Sequence, residues 1–239
     1  MYQGPVCHKC NWEESQCICE RLANIFEAPS LMHPKPPPTD FCQSGGAEGS
    51  DTRFAYHAIQ KGHGVVIWSF QGHRPLRPTS SRVKIERVDP DNMEIRNALA
   101  DVISKLRRNP IAFHRNYVWN LLRRDMAITA NAESVYAIGN WDKDSKTHWQ
   151  RGSVGIDGGT AYACQRFVND AQPGILPFYF FQQTIQKWFR CNKRSTGEIY
   201  WTEYEDASTI PKPMGIYAGI GTRALNAAGR DAIASLYAE

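Results

Sequence analysis

Apolar side chains along this chain keep two rhythms that take turns. FCQSGG (41–46) reads as a short strand ending in glycine. DTRFAYHAIQK (51–61) reads as a helix opened by Ser50 or Asp51 as N-cap, with Phe54 and Ala58 on one face. GVVIWSF (64–70) is β-branched and aromatic between glycines, which predicts a buried parallel strand. Residues 71–90 are polar and read as a long loop. DNMEIRNALADVISKLRR (91–108) gives the clearest helix, because Met93, Leu99, Val102, Ile103 and Leu106 recur at helical spacing before Pro110 stops it. A second helix is expected from Phe113 to about Met126.

SVYAIG (134–139), ILPFYFF (175–181) and MGIYAGI (214–220) complete the set of strands. GGTAYACQRFVND (158–170) turns into a helix at its glycines, and the last strand leads to a helix carrying Leu225, Ala228, Ala232 and Leu236. Alternating strands and helices predict a parallel sheet covered on both faces, a Rossmann-like three-layer α/β domain over residues 41–239. No internal repeat is visible.

The first forty residues differ. Cys7, Cys10, Cys17 and Cys19 stand in CHKCNWEESQCICE, a small Cys-rich element assigned to residues 1–28. LMHPKPPPTD then makes residues 29–40 a stiff, extended linker. The 239 residues are 42% hydrophobic and 22% charged, enough to bury a core and unlike a disordered tail. No apolar run approaches the roughly 18–20 residues of a membrane helix, and MYQGPVCHKC lacks the basic and apolar regions of a signal peptide. The expected location is cytoplasmic, or a host's cytoplasm for a viral protein. A net charge of +4 permits polyanion binding without demanding it.

Three glycine turns carry the candidate chemistry: SGGAEGSD (44–51), GIDGGTA (155–161) and GIGTR (219–223). Glycine allows close backbone approach, and a helix N-terminus offers free N–H groups with partial positive charge, a combination suited to phosphate. In a parallel sheet such turns share the carboxyl edge. The Walker pattern GxxxxGK[ST] is absent, and no GxGxxG is followed by an acidic residue at the right distance, which disfavours a conventional ATPase or dinucleotide dehydrogenase.

SGGAEGSDTRF, RNYVWN, YAIGNWD and DGGTAYACQRF together resemble the SLOG superfamily, which includes DprA, the Lonely Guy phosphoribohydrolases and YpsA-like proteins. The likeness is nearest to YpsA-related proteins, often phage-encoded. GIGTRALNAAGRDAI comes last here rather than first, so the order looks circularly permuted (cpYpsA-type). The resemblance implies a nucleotide or nucleotide-derived ligand in one cleft and a phosphoribohydrolase-like cleavage of an N-glycosidic bond. Ser44, Gly45, Gly46, Gly49 and Ser50 would face the ligand, as would Gly158, Gly159 and Thr160, and Gly219, Gly221 and Arg223. Arg115 and Asn116 would point into the same cleft, and Trp141 with Asp142 would end a strand there, the Trp stacking on a base or simply packing. Asp51 is the candidate catalytic carboxylate; it would hold a ribose hydroxyl or polarise a leaving base, or only cap its helix. Lonely Guy enzymes carry an acidic residue soon after the glycine turn. DGGTAYACQRF has none, which leaves Asp51, Glu48, Asp142 and Asp157 as carboxylates out of the matching place.

Two further expectations stand beside this. Lys105, Arg107, Arg108, Arg115, Arg123 and Arg124, with Lys187, Arg190, Lys193 and Arg194, interleave with Trp119, Trp188 and Phe189. That pattern suits a DprA-like partner, single-stranded DNA, or solvated helix faces. The C-x2-C-x6-C-x-C cluster suits a structural zinc on Cys7, Cys10, Cys17 and Cys19, with His8 as a substitute ligand, or else loosely ordered thiols or a redox or iron–sulfur use. Cys42, Cys164 and Cys191 read as buried small hydrophobes. A homo-oligomer is compatible with all of this.

Overall fold

A computed structural model describes residues 37–108 and 116–238. The Cys-rich element, most of the Pro-rich linker and Arg115 lie outside the described residues. The described chain forms β1 (Phe41–Ser44), α1 (Ser50–Lys61), β2 (Gly64–Ser69), β3 (Val83–Arg87), α2 (Met93–Leu106), α3 (Asn116–Ala130) and β4 (Ser134–Gly139). It continues with α4 (Ser145–Gln150), α5 (Thr160–Asp170), β5 (Gly174–Gln182), β6 (Lys187–Lys193), β7 (Ile199–Glu203), β8 (Ile216–Gly221) and α6 (Ala227–Tyr237).

The eight strands make one sheet in the order β3-β2-β1-β8-β4-β5-β6-β7. The first six in that order pair in parallel; β6 and β7 pair antiparallel. Alternation along each strand divides the core between the two faces. Val135, Ala137, Phe178 and Phe180 pack with Leu99, Val102, Leu122, Met126 and Cys164 under α2, α3 and α5. Tyr136, Ile138, Tyr179 and Phe181 join the opposite core with Phe54, Ala58, Ala232 and Ile233 from α1 and α6. The fold is therefore α/β with helices on both faces, as the alternation predicts.

Gly219 lets α1 come close to β8. A Cβ there would stand 2.6 Å from Cγ of Phe54, a ring with no solvent exposure. Burying a side chain of that size contributes about 1.5–3 kcal/mol, so this small residue in the strand is a packing requirement.

Several expectations need correction. The sheet is mixed, because the β6–β7 hairpin extends it antiparallel. β3 lies inside the expected 71–90 loop; VKIER is a short edge strand whose Val83 and Ile85 are only half-buried, so its apolar signal is weak. α3 runs past Met126 to Ala130, with Ile128 and Thr129 buried on the same continuing turn. Met93 is 65% exposed, because it opens α2 one turn before the buried stripe starts at Ala98. Neither Ser50 nor Asp51 caps α1; Gly49 holds that position at φ 93° with no side-chain cap. Cys42, Cys164 and Cys191 are fully buried, as expected. Among the described residues no helix is long and apolar enough to cross a membrane.

Candidate functional site

The chain leaves β1 toward β2 and β3 on one side, and leaves β4 toward β5 and β6 on the other. β8 fills the slot between β1 and β4. This is the switch in strand direction at which open α/β sheets form a crevice beyond their carboxyl ends. The turns after β1 and β8 meet there. Thr222 N–H donates to the Ile138 carbonyl at 2.9 Å, and Asp157 N–H donates to the Asn140 carbonyl at 2.9 Å. The Gly158–Gly159 turn is thus held to the same rim through the chain leaving β4.

Asp51 ties two of the turns together. Its Oδ2 accepts from Gly45 N–H and Ala47 N–H, both at 3.2 Å, and its Oδ1 accepts from Gly221 N–H at 3.2 Å. Arg124 of α3 approaches the same carboxylate, Nη1 to Oδ2 at 4.0 Å, with both side chains buried. Burial pushes the Asp51 carboxyl above the usual range, against the pull of Arg124 and the three N–H donors. Gly45 has no Cβ for a plain reason: one would stand 1.3 Å from Arg124 Nη1.

Beside Arg124 lies Asp125, whose Oδ1 is 3.4 Å from Arg124 Nε; the Asp125 side chain is 14% exposed. Burial drives its carboxyl up to about 7; Arg124 and Arg223 pull the other way, and Asp51 adds to the rise. Arg223 is exposed, and its charge is felt both at Asp125 and at His73. His73 is pushed down to about 4, first by burial and then by Arg124 and Arg223, so its ring is neutral at pH 7. It stacks on Phe70 at 5.0 Å, with Tyr117 edge-on to Phe70 at 5.5 Å. Tyr117 is 49% exposed.

The third turn is more open. Gly158 and Gly159 are exposed, and no side chain caps the first turn of α5. Arg108 braces it from below, with Nη1 on the Gly158 carbonyl at 2.5 Å, Nη2 on the Ile156 carbonyl at 2.6 Å and Nη2 on Asp142 at 3.3 Å. Its guanidinium also lies 5.8 Å from the Tyr162 ring centroid. Tyr162 is 2% exposed, and its hydroxyl has no hydrogen-bond partner among the described residues.

The expected site residues therefore divide. Ser44 and Ser50 are buried, and their hydroxyls donate to the Asp51 and Thr222 carbonyls at 3.3 and 2.9 Å. Together with the N–H groups of Gly45 and Gly221, these donors hold the turns rather than face a ligand. Gly49 and Gly219 serve close packing: a Cβ on Gly49 would meet the Thr222 and Arg223 carbonyls at 2.6 Å. Gly46 sits against Pro75 and Leu76, whose N–H donates to its carbonyl at 2.9 Å. Trp141 does not present a free face; it packs among Phe180, Trp201, Trp149 and Phe189 at 4.4–5.5 Å. Asp142 pairs with Arg108, and Asn116 opens α3. Gly158, Gly159, Thr160 and Arg223 remain at the open rim.

Asp125, Tyr162, His73 and Tyr117 are additions that sequence reasoning missed. One signal marks Asp125: it falls three residues after Leu122 and four before Thr129, on the apolar stripe of its helix. The basic residues are dispersed. Arg124 is buried, Lys193 donates to the Val168 and Ala171 carbonyls at the end of α5, and Arg194 pairs with Glu198. Two surface grooves lie away from the glycine turns. One of about 680 Å³ lies between α6 and the β6–β7 hairpin, and one of about 1000 Å³ lies between α2 and α3, lined also by Gln71 and Asp89–Asp91 beyond the carboxyl ends of β2 and β3. Among the described residues no group of His, Cys, Asp or Glu is arranged to hold a metal. Comparison of the chain with protein-family models, curated proteins and solved structures finds no match.

Proposed function

We propose that this protein binds a nucleotide or nucleotide-derived ligand at the carboxyl rim of its sheet. The observation that carries the reading is the joining of the β1 and β8 turns through Asp51 where the strand order reverses, with the Gly158–Gly159 turn following the neighbouring β4, beside a buried cluster of Asp51, Arg124 and Asp125. The phosphate would lie at the open start of α5 and Arg223, where uncapped helix N–H groups and a guanidinium suit an anion, while Gly158 N–H donates to Asp157 Oδ1 at 2.7 Å. The base would reach Tyr117 and His73. β2 and β4 are three strand spacings apart, roughly 14 Å, which suits an extended nucleotide.

The sheet order supports the permuted SLOG reading. Counting β8 as the first strand and β1 as the second turns the order into 4-3-2-1-5-6-7-8, with the first strand central, as in doubly wound sheets. The two ends of the domain also lie together. Asp40 approaches His63 at 3.8 Å, His63 meets the Tyr217 hydroxyl at 2.9 Å, and that hydroxyl meets Tyr237 at 3.0 Å. A calorimetric screen with nucleoside monophosphates, nucleotides and ADP-ribose tests the ligand reading; well-folded protein that binds none of them would refute it. The single-stranded DNA reading draws less support, because Arg124 and Lys193 are engaged inside the domain.

The N-terminal cysteines are proposed to hold a structural zinc. Metal analysis that finds no stoichiometric zinc, or a Cys10→Ser variant with unchanged metal content, would refute that.

A further inference from the structure

The sheet ends on two edge strands, β3 and β7. An edge strand keeps a row of backbone N–H and C=O groups without a ladder partner, and proteins guard such edges with charge, proline or a covering segment. β3 is guarded: VKIER carries Lys84 and Glu86 as an ion pair, with Arg87 beside them. β7 is not. Its sequence IYWTE is β-branched or aromatic in all but the last position and contains no Lys, Arg or Pro. The β6–β7 register fixes which of its groups are free. Tyr204 N–H donates to the Trp188 carbonyl at 2.9 Å and Arg194 N–H to the Glu198 carbonyl at 2.8 Å, so the even-numbered residues of β7 form the hydrogen-bonded pairs with β6. Ile199, Trp201 and Glu203 therefore turn their N–H and C=O groups outward, and among the described residues nothing bonds to them there. Tyr200, 44% exposed, and the exposed Thr202 flank this row on one face of the sheet.

We propose that β7 is the docking edge for a second copy of this chain, paired antiparallel across a two-fold axis at Trp201. The outward groups admit this register: Ile199 lies opposite the partner's Glu203 and Trp201 opposite the partner's Trp201, each as a hydrogen-bonded pair. Tyr200 then falls opposite the partner's Thr202, an aromatic and β-branched pair of the kind that stabilises sheets. Charge selects the antiparallel sense. One end of β7 holds Glu203, paired with Lys187, and then Glu205; the other holds Glu198, paired with Arg194, beside Lys193. Acid is in excess at the first end and base at the second. Antiparallel pairing sets the acidic end of each strand against the basic end of its partner, whereas parallel pairing sets like against like. A strand of this length spans roughly 17 Å, a strip smaller than a standard interface of about 800 Å² per partner, so the dimer is weak and forms only at high concentration. β4, β5 and β6 separate this edge from β8, so pairing leaves the glycine turns open and stands independently of the ligand reading.

Analytical ultracentrifugation of the full chain in reductant, from about 1 μM to about 1 mM, tests the proposal. The mass should rise with concentration from the 27.1 kDa monomer toward twice that value. Glu203→Pro removes an outward N–H that the β6–β7 ladder does not use, so the monomer should keep its fold by circular dichroism while the dimer dissociation constant rises at least about tenfold, the scale of one lost hydrogen bond per strand. Glu203→Gln keeps that N–H and should stay within about threefold, the scale of an exposed ion pair. Thr202→Lys puts a charge on the exposed edge without touching its backbone; it should also weaken the dimer about tenfold, and it decides the matter should the proline variant misfold. A monomer at every concentration would overturn the proposal, as would a dimer that a folded Glu203→Pro or Thr202→Lys variant leaves within about threefold of wild type.

Discussion

Replacing Asp125 with Asn should stabilise the protein, and the gain should depend on pH. In the unfolded chain this carboxyl titrates at about 3.8; in the fold, burial raises it to about 7. The folded state therefore holds a proton that the unfolded state releases between those values. The sign follows from linkage: a raised folded pKa gives stability that is complete below 3.8 and lost as pH rises through about 7. At about 1.4 kcal/mol per tenfold change, the full loss is roughly 4 kcal/mol. Asn mimics the neutral acid and cannot ionise, so it escapes this loss. Urea denaturation of wild type and Asp125→Asn at pH 4, 6 and 8 measures the difference. Near-equal stabilities at pH 4, with Asn ahead by about 2–4 kcal/mol at pH 8, would bear this out. A difference that does not change with pH, or an Asn variant weaker at pH 8, would refute it, because Asp125 would then be a satisfied ion-pair partner of Arg124.

Other substitutions probe the scaffold around that group. Asp51→Asn should cost about 3 kcal/mol, since an amide cannot accept all three N–H groups and leaves buried Arg124 without its carboxylate; a loss under about 1 kcal/mol by denaturation would contradict the tie described between β1, α1 and β8. Gly219→Ala should cost about 1–3 kcal/mol through overpacking against Phe54, and Phe54→Leu in the same chain should recover part of it in thermal melts. Arg223→Ala should weaken nucleoside monophosphate binding about tenfold, the scale of one charge-assisted hydrogen bond, without lowering the melting temperature; unchanged affinity would remove Arg223 from the site.

Much of this architecture is legible in the chain because burial writes strong patterns. GVVIWS and SVYAIG lie in the middle of a covered sheet, and the α2 stripe from Ala98 to Leu106 repeats at helical spacing. The β3 edge strand and the β6–β7 hairpin are harder to see, because their polar alternation resembles solvated loop. The site is legible at the level of its turns and not at the level of its atoms. Glycine spacing shows where the backbone comes close, yet the N–H groups of Gly45 and Gly221 turn inward to Asp51, an arrangement that needs residues 170 positions apart to meet. Asp125 stays hidden for a related reason. Beside Arg124 it looks like an ordinary surface ion pair, and only the packing of α3 against α5 and the sheet takes it out of water.

The location of the ligand is best tested by amide chemical shifts in the folded protein on titration with AMP. Changes should concentrate at Gly158, Gly159, Thr160, Thr222 and Arg223, with smaller ones at His73 and Tyr117. Shifts confined to the groove beside Trp119 and Arg96, or none at saturating nucleotide, would contradict a ligand site at the glycine turns.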